Sequence, residues 1–222
     1  MLDFNQMASL IEQVVRFVKA KEKVSGELNV KALYETFNLQ IAPFLKDASD
    51  PIACRKGCSY CCHLKVAVIQ EEGTFLMSKI HEEDPNKYNT LLKKAITKHK
   101  QTKGLTDNEV VDLRSPCVFL ENNECSVYED RPLSCRGMYV TDVNMCKDSY
   151  DKGVGQSTAF HATPILIKDF IIIAVASYKS GKSVKSILNQ MIAEDAFNAD
   201  TLKGYNIDFI SLEESLLNYA KQ

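Results

Sequence analysis

Cysteine is the residue type in this chain best placed to do chemistry, and its spacing says which kind. Four of the eight cysteines are Cys54, Cys58, Cys61 and Cys62, and three more follow at Cys117, Cys125 and Cys135. Thiolates crowded this closely repel one another unless a cation neutralises them, and soft sulfur donors select zinc, copper(I) or iron–sulfur clusters over magnesium or calcium. If residues 54–62 lie partly on a helix, Cys54, Cys58 and either Cys61 or Cys62 share one face, because steps of four and three return to the same side. Neighbours Cys61 and Cys62 point in different directions on a helix or a strand, so they are not expected on the same ion. One of the two then reaches a second metal, bridges, or packs. Cys117, Cys125 and Cys135 supply enough thiolates to complete four-coordination, so the expected site joins two distant parts of the chain.

Residues beside the cysteines carry alternatives. Arg131 and Arg136 flank Cys135, where they would donate hydrogen bonds to sulfur and offset the negative charge of a thiolate-rich centre, or else pair with Glu129 or Asp130. Pro132 is expected to start a helical turn that positions Cys135. His63 directly follows the first cluster as a candidate imidazole ligand, whereas His81, His99 and His161 read as surface or packing residues. Glu71 and Glu72 are candidates for oxygen ligands or a general base, against the plainer reading of a solvent-facing helix start.

The compartment decides how free thiols behave. The N-terminal residues Met1 to Gln6 show no basic region followed by an apolar stretch, and the longest apolar run, Phe170 to Ala176, is far short of the roughly 20 residues that span a bilayer. The expectation is a cytoplasmic protein with no membrane partner, where glutathione and thioredoxin keep thiols reduced and a cysteine cluster binds metal rather than forming disulfides. The formal charge of −2, from 27 basic and 29 acidic residues, lacks the excess that clamps phosphate backbones, so no nucleic-acid partner is expected. The basic group Lys93, Lys94, Lys98, Lys100 and Lys103 has no interleaved aromatics beyond Tyr88 and reads as a solvated helix face.

The elements that must position these residues are mostly helical. Phe4, Met7, Ile11, Val14 and Val18 step by threes and fours, as do Val30, Leu33, Phe37, Ile41 and Phe44, with a break at Ser25-Gly26 and a stop from Asp47 to Pro51. Val66 to Ile69 predicts a short strand, Glu71 to Glu83 a helix, and Asp84-Pro85 a fresh start for a helix from Asn86 to Lys100 that stops at Lys103-Gly104. Two β-prone runs, Val118 to Leu120 and Ser126 to Tyr128, flank the polar turn Glu121 to Glu124 and predict a hairpin carrying Cys117 and Cys125. Ile165 to Tyr178, Val184 to Ile192 and Leu212 to Tyr219 carry helical patterns divided by Ser180-Gly181 and Gly204. The predicted architecture is mainly α: one compact helical domain over residues 1–222, with N-terminal helices (1–47), a cysteine-cluster core (54–136) holding a small β-hairpin beside the metal site, and C-terminal helices (160–222).

Two resemblances follow from the motifs. Cys54-x3-Cys58-x2-Cys61 with Tyr60 matches the spacing by which radical S-adenosylmethionine enzymes hold a [4Fe–4S] cluster, but the residues after Cys62 show neither alternating strands and helices nor a glycine-rich methionine-binding segment. The ordered combination Cys54-x3-Cys58-x2-Cys61-Cys62, Cys117-x-Phe119-Leu120 and Cys125-Ser-Val127-Tyr128-x2-Arg131-Pro132-x2-Cys135-Arg136 resembles the YkgJ-like cysteine-cluster family, described as zinc- or iron-chelating proteins. The resemblance covers residues 54 to 136 and implies metal binding by those seven cysteines. Cys146 lies beyond the matched motif. Longer relatives include flagellin lysine N-methylases, which implies a methyltransferase-like enzyme as one alternative; a zinc-stabilised interaction module or metal carrier is another. The leading expectation is a protein that binds zinc or an iron–sulfur cluster through a split cysteine site, its substrate or partner open.

Overall fold

The computed structural model describes residues 4–21, 28–47, 52–152, 160–194 and 199–221. In chain order the helices are α1 (Phe4–Ala20), α2 (Val30–Asp47), α3 (Gln70–Glu83), α4 (Pro85–Thr102), α5 (Asp107–Asp112), α6 (Leu133–Arg136), α7 (Val143–Lys152), α8 (Ala162–Ser180), α9 (Val184–Ala193), α10 (Ala199–Lys203) and α11 (Leu212–Tyr219). The strands are β1 (Ala67–Ile69), β2 (Leu120–Glu121), β3 (Glu124–Cys125) and β4 (Phe209–Ser211), and two short 3-10 turns occupy Tyr60–His63 and Tyr128–Asp130. The mainly α class with a small hairpin stands as expected. Of the expected helix breaks, Ser25-Gly26 and residues 48–51 lie outside the described residues.

Two hydrophobic clusters organise the chain. In the first, the buried stripe of α1 (Ala8, Ile11, Val14, Val15 and Val18) packs with Leu33, Phe37 and Ile41 of α2 against α8, which is buried from Ile171 to Ala176. A helix buried this thoroughly in mid-length must be covered on several sides, and α9 supplies Val184, Ile187, Leu188 and Met191. α8 stops at Gly181, whose φ of 70° is the left-handed conformation that closes helices at little cost only for glycine.

The second cluster lies under the cysteine segment and joins Val68 of β1, Leu76, Met77 and Ile80 of α3, Leu91 and Ala95 of α4, Val118 and Phe119, and Leu212 and Leu216 of α11. β1 finds its partner at the far end of the chain: β4 pairs with it antiparallel, Ala67 opposite Ser211 and Ile69 opposite Phe209. The expected strand at Val66 to Ile69 is therefore real, while β4 has no signal of its own in three residues. α11 presses so closely on α3 that a Cβ at Gly73 would stand 1.9 Å from the Ser215 hydroxyl. Lys98 does not belong to a solvated face: it is 5% exposed and its Nζ lies 3.2 Å from Glu213, so α4 and α11 are joined by a buried ion pair. The helical stripe could not show this, because the partner lies more than a hundred residues away.

β2 and β3 form a hairpin where one was expected but tighter than predicted, with Leu120 opposite Cys125 and Glu121 opposite Glu124, so that the strands take in part of the expected turn and Cys125 alone of the two cysteines lies on a strand. Asn122 and Asn123 turn the chain at φ 51° and 63°, the paired left-handed conformation of a two-residue turn that asparagine tolerates better than most residues.

Candidate metal centre

Each cysteine is set by local backbone geometry. Cys54 lies in a stretch tied to the strand-like residue Val140 at both ends: Ala53 N–H donates to the Val140 carbonyl at 2.9 Å and Val140 N–H donates to Cys54 Sγ at 3.3 Å. A turn closed by Cys58 N–H to the Arg55 carbonyl, with Gly57 at φ 90°, carries Cys58. Cys61 and Cys62 sit on the 3-10 turn Tyr60–His63. Residues 54–62 do not run as the helix whose face would gather Cys54, Cys58 and Cys61; looping brings them together. On this turn the Cys62 thiol donates a hydrogen bond to Cys61 sulfur.

The downstream cysteines close on this loop from the other side. Cys117 N–H donates to the Cys62 carbonyl at 2.6 Å, stitching the two segments by backbone. Cys117 sulfur accepts from Phe119 N–H, and Cys125, on β3, accepts from Val127 N–H, so each sulfur is met by the amide two residues on. Cys135 rides on α6, which starts after Pro132 as expected. Glu72 holds that start: its carboxylate accepts Leu133 N–H at 2.7 Å, Ile69 N–H at 3.3 Å and the Tyr34 hydroxyl at 3.2 Å. It is 1% exposed, so Glu72 is a buried anchor rather than a solvent-facing helix start. Burial drives its pKa up to about 7 against these hydrogen bonds and the Arg136 charge. Glu71 instead pairs with Lys179 of α8.

Cys54, Cys58, Cys61, Cys62, Cys117, Cys125 and Cys135 line one cavity of about 290 Å³, with Arg131 in its wall. A neighbouring cavity of about 60 Å³ is lined by Cys54, Cys58 and Cys61 again, and by Cys146. α7 delivers this last cysteine, its Tyr150 ring lying 4.8 Å from His63 and 5.9 Å from Tyr60, centre to centre. Sequence reasoning left Cys146 unassigned because it stands outside the matched spacing; the signal that pointed to it was only that an eighth cysteine in a thiol cluster rarely stands alone. His63 lines the smaller cavity, its Nδ1 3.2 Å from the Ser59 carbonyl.

The two arginines divide their work. Arg131 donates to the Tyr128 carbonyl at 2.9 Å and stacks on the Tyr128 ring at 4.1 Å; burial raises Cys54 and Cys125, and the Arg131 charge opposes that rise and adds to the lowering of Cys61 by its hydrogen bond from Cys62. Arg136 is 3% exposed and spends its guanidinium on the carbonyls of Arg131 and Glu129, on Asn38 Oδ1 at 3.1 Å, and on the face of Tyr34 at 4.3 Å. It ties the cysteine segment to α2, and its hydrogen bonds go to oxygen.

All eight cysteines are free thiols. Burial pushes Cys117 and Cys146 up to about 11 and holds Cys135 well above the usual thiol range, each reinforced by neighbouring cysteines, while the Cys62 hydrogen bond brings Cys61 down to about 7. The thiols raised in this way, Cys117, Cys135 and Cys146, stay protonated near neutral pH, so a metal that binds them must displace protons. Among the described residues, no three His, Cys, Asp or Glu donors stand close enough together to grip a single ion as they are placed.

Residues 53–153 match the family model of the CxxCxxCC domain, described as a "putative zinc- or iron-chelating domain". Over this stretch the chain is similar to the cysteine-cluster domain of that family. No curated protein and no solved structure matches the chain. The cysteine-cluster domain reaches past Cys135 to include Cys146, in agreement with the place of α7 against the thiols. Its donor set fits a soft metal: thiols on every side, backbone amides aimed at Cys54, Cys117 and Cys125, and one cation at the wall. No helix among the described residues is long and apolar enough to cross a membrane.

Proposed function

We propose that the cysteine-cluster domain holds iron–sulfur chemistry rather than a single structural zinc. The observation that carries this reading is the size of the donor set: seven thiols line one cavity of about 290 Å³. A single tetrahedral zinc takes four sulfurs at about 2.3 Å and would leave three of the seven without a ligand role. A cluster of iron and sulfide needs thiolates spread around a volume, with N–H donors aimed at the sulfurs.

Cysteines 54, 58, 61, 62, 117, 125 and 135 would hold the inorganic group, with Arg131 offsetting its negative charge. Bound there, a cluster supplies one-electron exchange. The chain's own contribution is to separate the thiolates, aim the Val140, Phe119 and Val127 amides at sulfur, and shield the centre behind Phe119, Leu212 and the α6 turn. Free thiols in this number call for a reducing compartment, which supports a cytoplasmic protein. The deciding experiment is metal and acid-labile sulfide analysis of the full chain purified without oxygen, read beside its visible spectrum. Iron with matching sulfide and a broad band near about 400 nm is expected. Colourless protein with stoichiometric zinc would replace this reading with a zinc-stabilised module.

A further inference from the structure

The eight thiols do not surround one space evenly. The smaller cavity is lined by four cysteines, Cys54, Cys58, Cys61 and Cys146; the larger adds Cys62, Cys117, Cys125 and Cys135 and does not include Cys146. Cys146 lies in the field of Cys54, Cys58 and Cys61, and Cys62 in that of Cys117 and Cys125, while Cys61 stands between the two groups and acts also on Cys62, Cys125 and Cys135. Backbone connections follow the same division. Cys54 is fastened to Val140, on the way to α7, whereas Cys62, Cys117 and Cys125 are joined through the Cys117–Cys62 hydrogen bond and the hairpin, with Cys135 brought up on α6.

We propose that the cysteine-cluster domain holds two adjacent four-thiolate centres, an outer one on Cys54, Cys58, Cys61 and Cys146 and an inner one on Cys62, Cys117, Cys125 and Cys135. The 3-10 turn Tyr60–His63 makes this division possible. Successive side chains on such a turn diverge by about 120°, so Cys61 and Cys62 each serve one centre while their sulfurs remain in hydrogen-bond contact. The paired cysteines that are awkward on one ion become the shared edge of two. Four thiolates satisfy each centre completely, and none of the eight cysteines is left over. Filling both centres draws the sulfurs inward from their present positions and releases the protons of the buried thiols.

The inference rests on metal binding by this domain, and the test separates the two. Apo protein is titrated with cobalt(II), whose visible absorption reports tetrahedral thiolate ligation whatever the native metal. Absorbance should rise to an end point at about two equivalents per chain, fixed by four-thiolate stoichiometry. Cys146→Ser and Cys58→Ser should both lose the same centre and end at about half the wild-type equivalents, and Cys135→Ser should lose the other, with a different residual spectrum. Cys146→Ser lies on the outer side and keeps the comparison decisive if Cys135→Ser does not fold. In protein isolated with iron, dithionite reduction should give an electron paramagnetic resonance signal broadened by two interacting spins, which Cys146→Ser simplifies to one. An end point at one equivalent, or Cys146→Ser with unchanged cobalt capacity, overturns the two-centre assignment and leaves metal binding intact. Failure of wild-type protein to develop any thiolate–cobalt absorption overturns the metal reading and this inference with it.

Discussion

Glu72 shows how much of the site depends on one side chain that bears no metal. Its two oxygens receive the amides of Ile69 and Leu133 and the hydroxyl of Tyr34, so it links β1, α2 and the turn that presents Cys135. Its folded pKa, about 7, is raised above the ordinary 4.5, so the folded state binds an extra proton between those values. Stability from this group is fully present below about pH 4.5 and is lost as pH rises through about 7, a change of about 3 kcal/mol. Glu72→Gln should therefore lower stability at acidic pH by about 1–3 kcal/mol, through one amide left unmatched, and its deficit against wild type should shrink as pH rises to 7. Urea unfolding at a series of pH values measures that difference; a gap that does not vary with pH would remove Glu72 as the titrating group.

The arginines give a second residue-scale contrast. In protein carrying the proposed cluster, Arg131→Ala removes the cation at the cavity wall, so the reduced, more negative form loses more than the oxidised one and the reduction potential should fall. Arg136→Ala should leave potential and spectrum in place but lower stability by about 1–3 kcal/mol, because the part-buried carbonyl bonds to Glu129 and Arg131 lose their donor. Protein-film voltammetry beside thermal unfolding separates the two. Equal shifts in potential for both variants would show that Arg136 acts on the cluster electrostatically after all.

At the scale of elements, the floor beneath the cysteine segment is built where α3, α4 and α11 meet. Lys98 and Glu213 are both nearly inaccessible, so each is tolerable there only because the other is present. Lys98→Met should cost about 3–5 kcal/mol by stranding the carboxylate, and adding Glu213→Leu should recover most of it, since an apolar pair of similar volume is often no worse than the ion pair. Chemical denaturation of the single and double variants checks this, and additive losses would exclude the coupling. Cys117 lies within the field of the same pair, which connects the packing of α11 to the metal site.

For the whole molecule, the two hydrophobic clusters predict unequal dependence on metal. The first, around α1, α2 and α8, is made of aliphatic and aromatic side chains and contains no cysteine among the described residues. The second counts Cys117 and Cys125 among the residues packed against it. Cys135→Ser, or chelation of wild type, should reduce metal content and lower hydrogen-exchange protection through residues 54–62 and the hairpin, while amides of α1 and α8 keep theirs. Native protection around Cys58 with full metal content in Cys135→Ser would show that the two cysteine segments do not share a site.

The chain's own pattern determined a good part of this. Periodic apolar residues marked α1, α2, α8, α9 and α11, because a helix that buries one face must repeat with its turn, and the Asp84-Pro85 start with the Lys103-Gly104 stop marked α4. The polar turn between β-prone runs marked the hairpin, since only certain residues accept its left-handed conformations. Cysteine spacing marked the metal chemistry and seven of the thiols that gather at the cavity. Tertiary structure alone decided the rest: the pairing of β1 with β4, the buried partners of Lys98 and Glu72, the turning of Arg136 toward backbone oxygen, and the arrival of Cys146 on α7. Each depends on a contact between residues far apart in the chain, where local spacing carries no record of which groups will meet or how deeply they will be buried.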